Sequence, residues 1–228
     1  MNLAIFSDFD ETITRRNVTD DILAKFAHPS WLEIQQDWLA GRLSAREVLE
    51  KQMPLIHVRP VDLNAFVDSV EIDPFFPEFA LRCSQQHDSL HVLSDGFDYW
   101  IERILGRALA AYNGALKKIP VFACGLKCEG TKVAISFPYF PERCVHGCAT
   151  CKPALFESLK GGAEKTVVIG DGVSDLLLAR SADLVLAKGE LEKFCQREGV
   201  AHYGFRDFRD VMDIIDSFRG DRNQRASL

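Results

Sequence analysis

Two aspartates, Asp8 and Asp10 in the run DFDETIT, stand two residues apart at the end of the apolar segment LAIF. In an extended chain such residues point to the same side, so both carboxylates face one place. A pair of this kind can divide labour: one carboxylate attacks phosphorus and shares a metal, while the other moves protons at the leaving group and then at water. Thr12 and Thr14 offer hydroxyls around the same turn. A surface acidic turn would carry the same residues, so the pair gains meaning only from its companions further along the chain.

Three later segments complete a set suited to phosphoryl transfer, a reaction that needs positioning and charge neutralisation more than covalent chemistry. Ser94, with Asp95 and Gly96 behind it in LSDG, offers a hydroxyl and backbone N–H groups to phosphate oxygens. Lys152 opens the helical stretch KPALFESLK and offers a positive charge. GDGVSD sets Asp171 and Asp175 four apart across a glycine-containing turn. Carboxylate oxygens of this kind suit Mg²⁺, which takes one or two protein carboxylates beside substrate phosphate and water.

These residues need strand ends to hold them. LAIFSDFD, LHVLSDG (90–96), TVVIGDGVSD (166–175) and ADLVLAK (182–188) read as buried parallel strands, the first three ending in polar turns. Helical patterns come after them, which predicts an α/β fold: a doubly wound, Rossmann-like parallel sheet with ligands at the carboxyl ends of its strands. Residues 15–87 carry no strand pattern and several helix starts, including the capping boxes Ser30-x-x-Glu33 and Ser44-x-x-Glu47 and Pro60 as a first helical residue. The expectation is a catalytic core of residues 1–14 and 88–228 with an inserted all-helical cap at 15–87, the cap packed around Trp31, Ile34, Trp38, Leu39 and Phe66. A small β flap is expected between Lys118 and Cys151, and a frayed polar tail from Arg219.

In this order DFDETIT, LSDG, Lys152 and GDGVSD are similar to the four motifs of the haloacid dehalogenase superfamily of phosphatases, across almost the whole chain. The resemblance implies that Asp8 is the nucleophile and Asp10 the general acid/base, and that Ser94 and Lys152 bind the transferring phosphoryl group. It further implies that Mg²⁺ is held by the Asp8 carboxylate, the Asp10 backbone carbonyl and Asp171, with Asp175 supporting metal-bound water. A helical cap between the first two motifs resembles the phosphoserine phosphatase subclass, although Ser174 replaces the asparagine usual there. The segment from Cys124 through EGTKVAISFP to the cysteines before Lys152 is more similar to the 2-hydroxy-3-keto-5-methylthiopentenyl-1-phosphate phosphatases of methionine salvage. DFDETI with TDD also resembles phosphocholine and phosphoethanolamine phosphatases. A phosphotransferase or mutase would use the same phosphoaspartate with another acceptor. A non-enzymatic phosphate sensor would not need Asp10.

CVHGCATCK brings Cys144, Cys148 and Cys151 close in sequence with His146 among them, and Cys124 and Cys128 lie upstream. Such thiols either pack as small apolar groups steadying the loop before Lys152 or bind Zn²⁺. The other histidines, at 28, 57, 87, 91 and 202, are scattered as surface or capping residues. Arg15, Arg16, Arg42, Arg46 and Arg59 lie in or beside the cap, where a cation can read a second anionic group, though such residues usually form a solvated face. With 33 acidic against 27 basic residues and a net charge of −6, the chain lacks the basic footprint of a nucleic-acid binder. No apolar run approaches a membrane span, and seven cysteines without a secretion pattern suit a reducing compartment. The expectation is a cytoplasmic enzyme acting on a small phosphorylated metabolite, in an oligomeric state the sequence leaves open.

Overall fold

Strand β1 (Leu3–Ser7) is buried on both faces, and alternation along it divides its side chains between two layers. Leu3 and Ile5 enter one core cluster with Phe9, Trp100 and Phe208, while Ala4 and Phe6 enter another with Phe156 and Leu178. β5 (Lys165–Gly170) repeats the division, sending Val167 and Ile169 one way and Val168 the other. Each Leu, Ile or Phe enclosed in this way contributes roughly 1.5–3 kcal/mol. That is why these strands read as unbroken apolar runs. The structure is a computed structural model and describes residues 1–112, 116, 118–141, 144 and 147–225.

With β2 (Ser89–Phe97), β3 (Val121–Glu129), β4 (Lys132–Ser136), β6 (Leu184–Ala187) and β7 (Tyr203–Gly204), these strands form a seven-stranded sheet in the order β4-β3-β2-β1-β5-β6-β7. Every pairing is parallel except β3 with β4. The chain leaves β1 for β2 on one side and returns to its other side at β5, so β1 is the switch point beyond whose carboxyl end a crevice opens. Helices α6 (Asp98–Ala108), α7 (Lys152–Leu159), α8 (Leu176–Ala179), α9 (Gly189–Glu198) and α10 (Phe208–Arg225) complete this part of the molecule. The expected β flap is instead an extension of the sheet: β3 pairs with β2 through Val121 and Phe122 before running on as a hairpin with β4. The tail expected to fray is helical to Arg225, and Arg219 is drawn in by Asp88 and by the carbonyl of Met1 at 2.6 Å.

Between β1 and β2 come α1 (Val18–Phe26), α2 (Trp31–Leu39), α3 (Ala45–Gln52), α4 (Pro60–Val67) and α5 (Phe76–Gln85). Ser44 and Glu47 form a reciprocal capping box at α3, and Pro60 opens α4. Ser30 makes no cap at α2, because its hydroxyl lies 2.9 Å from His28 Nδ1 instead. Entry and exit strands of the insert are tied where Thr14 bridges Ile72 and Asp73 N–H donates to Ile13 O at 2.8 Å. The last helix of the segment, α5, lies on the sheet through Phe76 and Phe79, whose rings meet Phe208.

α2 departs most from expectation, since none of its residues is fully buried. Trp31 and Phe66 pack against the core, but Trp38 is 36% and Leu39 73% exposed. They therefore do not build the cap core. His91 departs in the other direction: its ring stacks on Phe6 with centroids 5.4 Å apart, and Phe122 lies beyond. Among the described residues no helix is long and apolar enough to cross a membrane.

Candidate active site

β1 ends at Ser7, and its last ladder contact, Asp8 N–H to Ile169 O at 2.9 Å, fixes the backbone from which the Asp8 carboxylate projects. Phe9 O then accepts from Ile13 N and Thr14 N at 2.9 and 3.0 Å, closing a tight turn in which Glu11 takes a left-handed φ of 53°. That turn brings Asp10 back over the strand end, where its Oδ1 accepts from Val18 N–H at 2.8 Å in the first turn of α1. Burial pushes the Asp10 carboxyl up to about 7, against the lowering effect of the Val18 bond. An acid with that pKa can both give and take a proton near neutrality.

In β2 the register slips at the same level. Leu93 pairs with Phe122 and Phe97 with Cys124, so four steps on β2 oppose two on β3 and the residues from Ser94 to Gly96 bulge towards the crevice. Ser94 Oγ accepts from Gly96 N–H at 3.0 Å. A methyl group at Gly96 would sit 3.1 Å from both Asp10 Oδ2 and Ser94 Oγ, so the close approach of these groups depends on glycine. The Asp95 side chain serves another purpose: its Oδ1 accepts from Thr150 N–H at 2.7 Å and so anchors the loop that leads into Lys152. Asp95 thus lines the crevice with its side chain committed to that loop.

Lys152 opens α7 and is almost completely enclosed. Its Nζ lies 2.9 Å from Asp8 Oδ2, 2.8 Å from Asp175 Oδ1 and 2.8 Å from Ser174 Oγ. Burial opposes the charge, but Asp175, Asp8 and Asp95 outweigh it and hold the ammonium above its ordinary pKa. At the end of β5, a methyl group at Gly170 would lie 2.4 Å from Asp175 Oδ2, so that glycine is what lets Asp175 fold back onto Lys152. Asp171 Oδ1 accepts from Thr12 Oγ at 2.7 Å, and burial raises its carboxyl to about 6. The Asp8 carboxyl is pushed well up, by burial first and then by Asp175, with Lys152 pulling the other way.

Oxygens of Asp8, Asp171 and Asp175 lie within 4.8 Å of one another. All are hard donors, and their mutual repulsion is what a small divalent cation relieves, so the set fits Mg²⁺. The Asp10 carboxylate is turned to Val18 and is no part of this group.

A cavity of about 540 Å³ opens from these residues towards the inserted helices. Its far wall is Trp38, Leu39, Val48 and Leu49 with the amides Gln35 and Gln52, and Glu11 and Asp20 stand beside the acids. Of the expected cap cations, none lines it. Arg16 pairs with Asp21, Arg42 with Asp37 and Arg59 with Asp62, Arg46 lies over Phe137 and Phe140, and Arg15 lines a separate cavity with Lys188 and Arg206. Sequence reasoning misses Ser174 as a ligand of Lys152 and reads Trp38 and Leu39 as core. The available signal is their place at the exposed end of a nine-residue helix just before the left-handed Gly41.

Among the described residues no cysteine forms a disulfide. Cys144 Sγ lies 3.8 Å from the sulfurs of both Cys148 and Cys151, whereas Cys124 turns to Thr150 and Asp95. His146 lies outside the described residues.

Residues 5–180 match the family model of haloacid dehalogenase-like hydrolases. A 2-hydroxy-3-keto-5-methylthiopentenyl-1-phosphate phosphatase of Geobacillus thermodenitrificans is 32% identical over 93% of this chain and 95% of its own. One of the same description from Geobacillus kaustophilus is 30% identical with equal coverage. Among solved structures, a substrate-bound phosphoserine phosphatase complex superposes with a TM-score of 0.68, 20% identity, and coverage of 93% of this chain and 97% of the other. A likeness at that identity speaks for the fold.

Proposed function

The chain belongs to the haloacid dehalogenase-like hydrolase family and is a phosphatase, and from that premise we propose that it hydrolyses a small phosphate monoester with an apolar tail, through a phosphoaspartate at Asp8 and with Mg²⁺. The substrate we assign is 2-hydroxy-3-keto-5-methylthiopentenyl-1-phosphate. The observation that carries this reading is the composition of the cavity, which has carboxylates and Ser94 at one end, beside Lys152, and Trp38, Leu39, Val48 and Leu49 at the other. A thioether tail suits such a wall. Phosphoserine would bring a carboxylate, and among the described residues no Lys or Arg lines the cavity to receive it.

Each residue has a part in the reaction. Lys152 lies 2.9 Å from Asp8 and favours its ionised form against burial and Asp175, and an oxygen of the Asp8 carboxylate attacks phosphorus as the bond to the substrate oxygen breaks. Asp10 gives its proton to the departing alkoxide. The same carboxylate then removes a proton from a water that attacks phosphorus, releasing inorganic phosphate and free Asp8. Ser94 Oγ and the backbone of the β2 bulge hold the transferring oxygens. Asp8 and Asp171, with the Asp10 backbone carbonyl and with Asp175 beside them, would hold Mg²⁺, which would neutralise phosphate charge when bound. Closure of the insert over the crevice would keep bulk water out.

A second reading is favoured by Glu11, Asp20 and Trp38, since two acids and an indole suit the cationic head of phosphocholine or phosphoethanolamine. Catalytic efficiencies for the thioether ester, phosphoserine and phosphocholine at equal Mg²⁺ separate the readings. The thioether ester is expected to lead. A tenfold or greater advantage for either competitor, about 1.4 kcal/mol in transition-state binding, would refute the assignment.

A further inference from the structure

The loop before α7 carries chemistry that phosphoryl transfer does not use. Cys144, Cys148 and Cys151 bring their sulfurs within 4.8 Å of one another, with Cys144 at 3.8 Å from each of the other two. A tetrahedral ion with zinc–sulfur bonds of about 2.3 Å keeps its sulfurs about 3.8 Å apart, whereas a disulfide requires about 2.05 Å. The four other cysteines are not part of this group: Cys83 and Cys195 sit singly in the core, Cys124 is engaged by Thr150, and Cys128 lies on β3. The three thiols do not share a helix face either. Gly147, between Cys144 and Cys148, takes a left-handed φ of +65°.

We propose that Cys144, Cys148 and Cys151 bind a zinc ion as three thiolates and that this ion is structural. A fourth donor completes the tetrahedron, as in three-cysteine structural sites. The position of the cluster explains what it would brace. Gly147 O accepts from Ala45 N–H at 3.0 Å, in the first turn of α3, so one end of the loop touches the inserted helices. At the other end Thr150 N–H is held by Asp95, and Cys151 is directly followed by Lys152. An ion joining 144 to 148 and 151 would make this loop a fixed link between the phosphate-binding bulge, Lys152 and the wall of the cavity. It lies apart from the carboxylate cluster and is selective in kind, since thiolates favour zinc where Asp8, Asp171 and Asp175 favour magnesium.

The test is a metal analysis of the full chain, produced in zinc-supplemented medium and purified under reducing conditions without chelator. Zinc is expected in near-stoichiometric amount, and Cys148→Ser and Cys151→Ser should reduce it to background while Cys195→Ser retains it. A chelator that removes the zinc should lower the thermal midpoint and expose three further thiols to a thiol reagent. Should the serine variants fold poorly, the unmodified chain still decides the matter: its cobalt-substituted form should show sulfur-to-cobalt charge-transfer absorption of the strength of three thiolates. Zinc below roughly a tenth of the chain, cobalt spectra without thiolate bands, or zinc retained in a variant lacking all three cysteines would each overturn the proposal.

Discussion

Replacing Lys152 by methionine keeps the bulk of a fully enclosed side chain but removes the charge that lies within 2.9 Å of Asp8 and 2.8 Å of Asp175. Two buried carboxylates are then left facing one another. Breaking a buried pair by removing one partner costs about 3–5 kcal/mol. In a chain of this size that lowers the thermal midpoint by roughly 6–20 °C, at about 2–4 °C per kcal/mol. The deficit should also depend on pH with a defined sign. Lys152 lowers the Asp8 carboxyl, which burial and Asp175 raise, so its removal leaves the folded-state pKa higher still. A group raised above its unfolded value favours folding below the unfolded pKa and loses that advantage as pH rises through the folded one. Lys152→Met should therefore approach the stability of the parent as pH falls from neutrality, and Asp175→Asn added to it should cost less than in the parent, with a coupling of about 0.5–3 kcal/mol. The assay is calorimetry or denaturant unfolding across pH without added metal. A shift below about 2 °C, a deficit independent of pH, or strict additivity would refute the electrostatic account of this site.

Other consequences are as specific. Asp10→Asn should lose most turnover on alkyl phosphates yet still be phosphorylated by an aryl phosphate, whose leaving group needs no proton, with slow release of phosphate afterwards; rapid-quench kinetics would show a burst and then a slow phase. Trp38→Ala should raise KM for an ester with an apolar tail by about 10-fold or more, corresponding to 1–3 kcal/mol of lost contact, and leave KM for a tail-less ester nearly unchanged. His91, whose pKa burial lowers and whose Nδ1 meets no hydrogen-bond partner among the described residues, protonates first in the unfolded chain. Stability should then fall as pH drops below the ordinary histidine value of about 6.5, and His91→Phe, placed between Phe6 and Phe122, should flatten that part of the profile. Gly170→Ala should cost about 1–3 kcal/mol and impair turnover, since its methyl would meet Asp175 Oδ2 at 2.4 Å.

The sheet is legible in the sequence because β1, β5 and β6 are enclosed on both faces and read as apolar runs, and β2 departs from this only at His91 before its polar turn. That Asp8, Ser94, Lys152 and Asp175 meet around one crevice is legible in the sequence because each follows an apolar strand or opens a helix and carries a charge or hydroxyl there. Three-dimensional closure is harder to read. Ser174 meets Lys152 only because Gly170 lets the adjoining turn fold inward, and Asp95 is directed to Thr150 by contact across 55 positions. Trp38 and Leu39 are misread for a related reason, since helical spacing shows which residues share a face but not whether that face meets protein or cavity. β3 looks separate from the sheet because Cys124, Gly125 and the charges from Lys127 to Glu129 interrupt its apolar pattern, although its first residues pair with β2.

The most direct test of the central claim is to trap the covalent intermediate. Asp10→Asn protein mixed with Mg²⁺ and an aryl phosphate, quenched in acid and digested, should yield a phosphorylated peptide containing Asp8, labile to hydroxylamine as an acyl phosphate is, and Asp8→Asn should yield none. No phosphorylated peptide under conditions in which the aryl alcohol is released, or a phosphoryl group on another residue, would contradict the account.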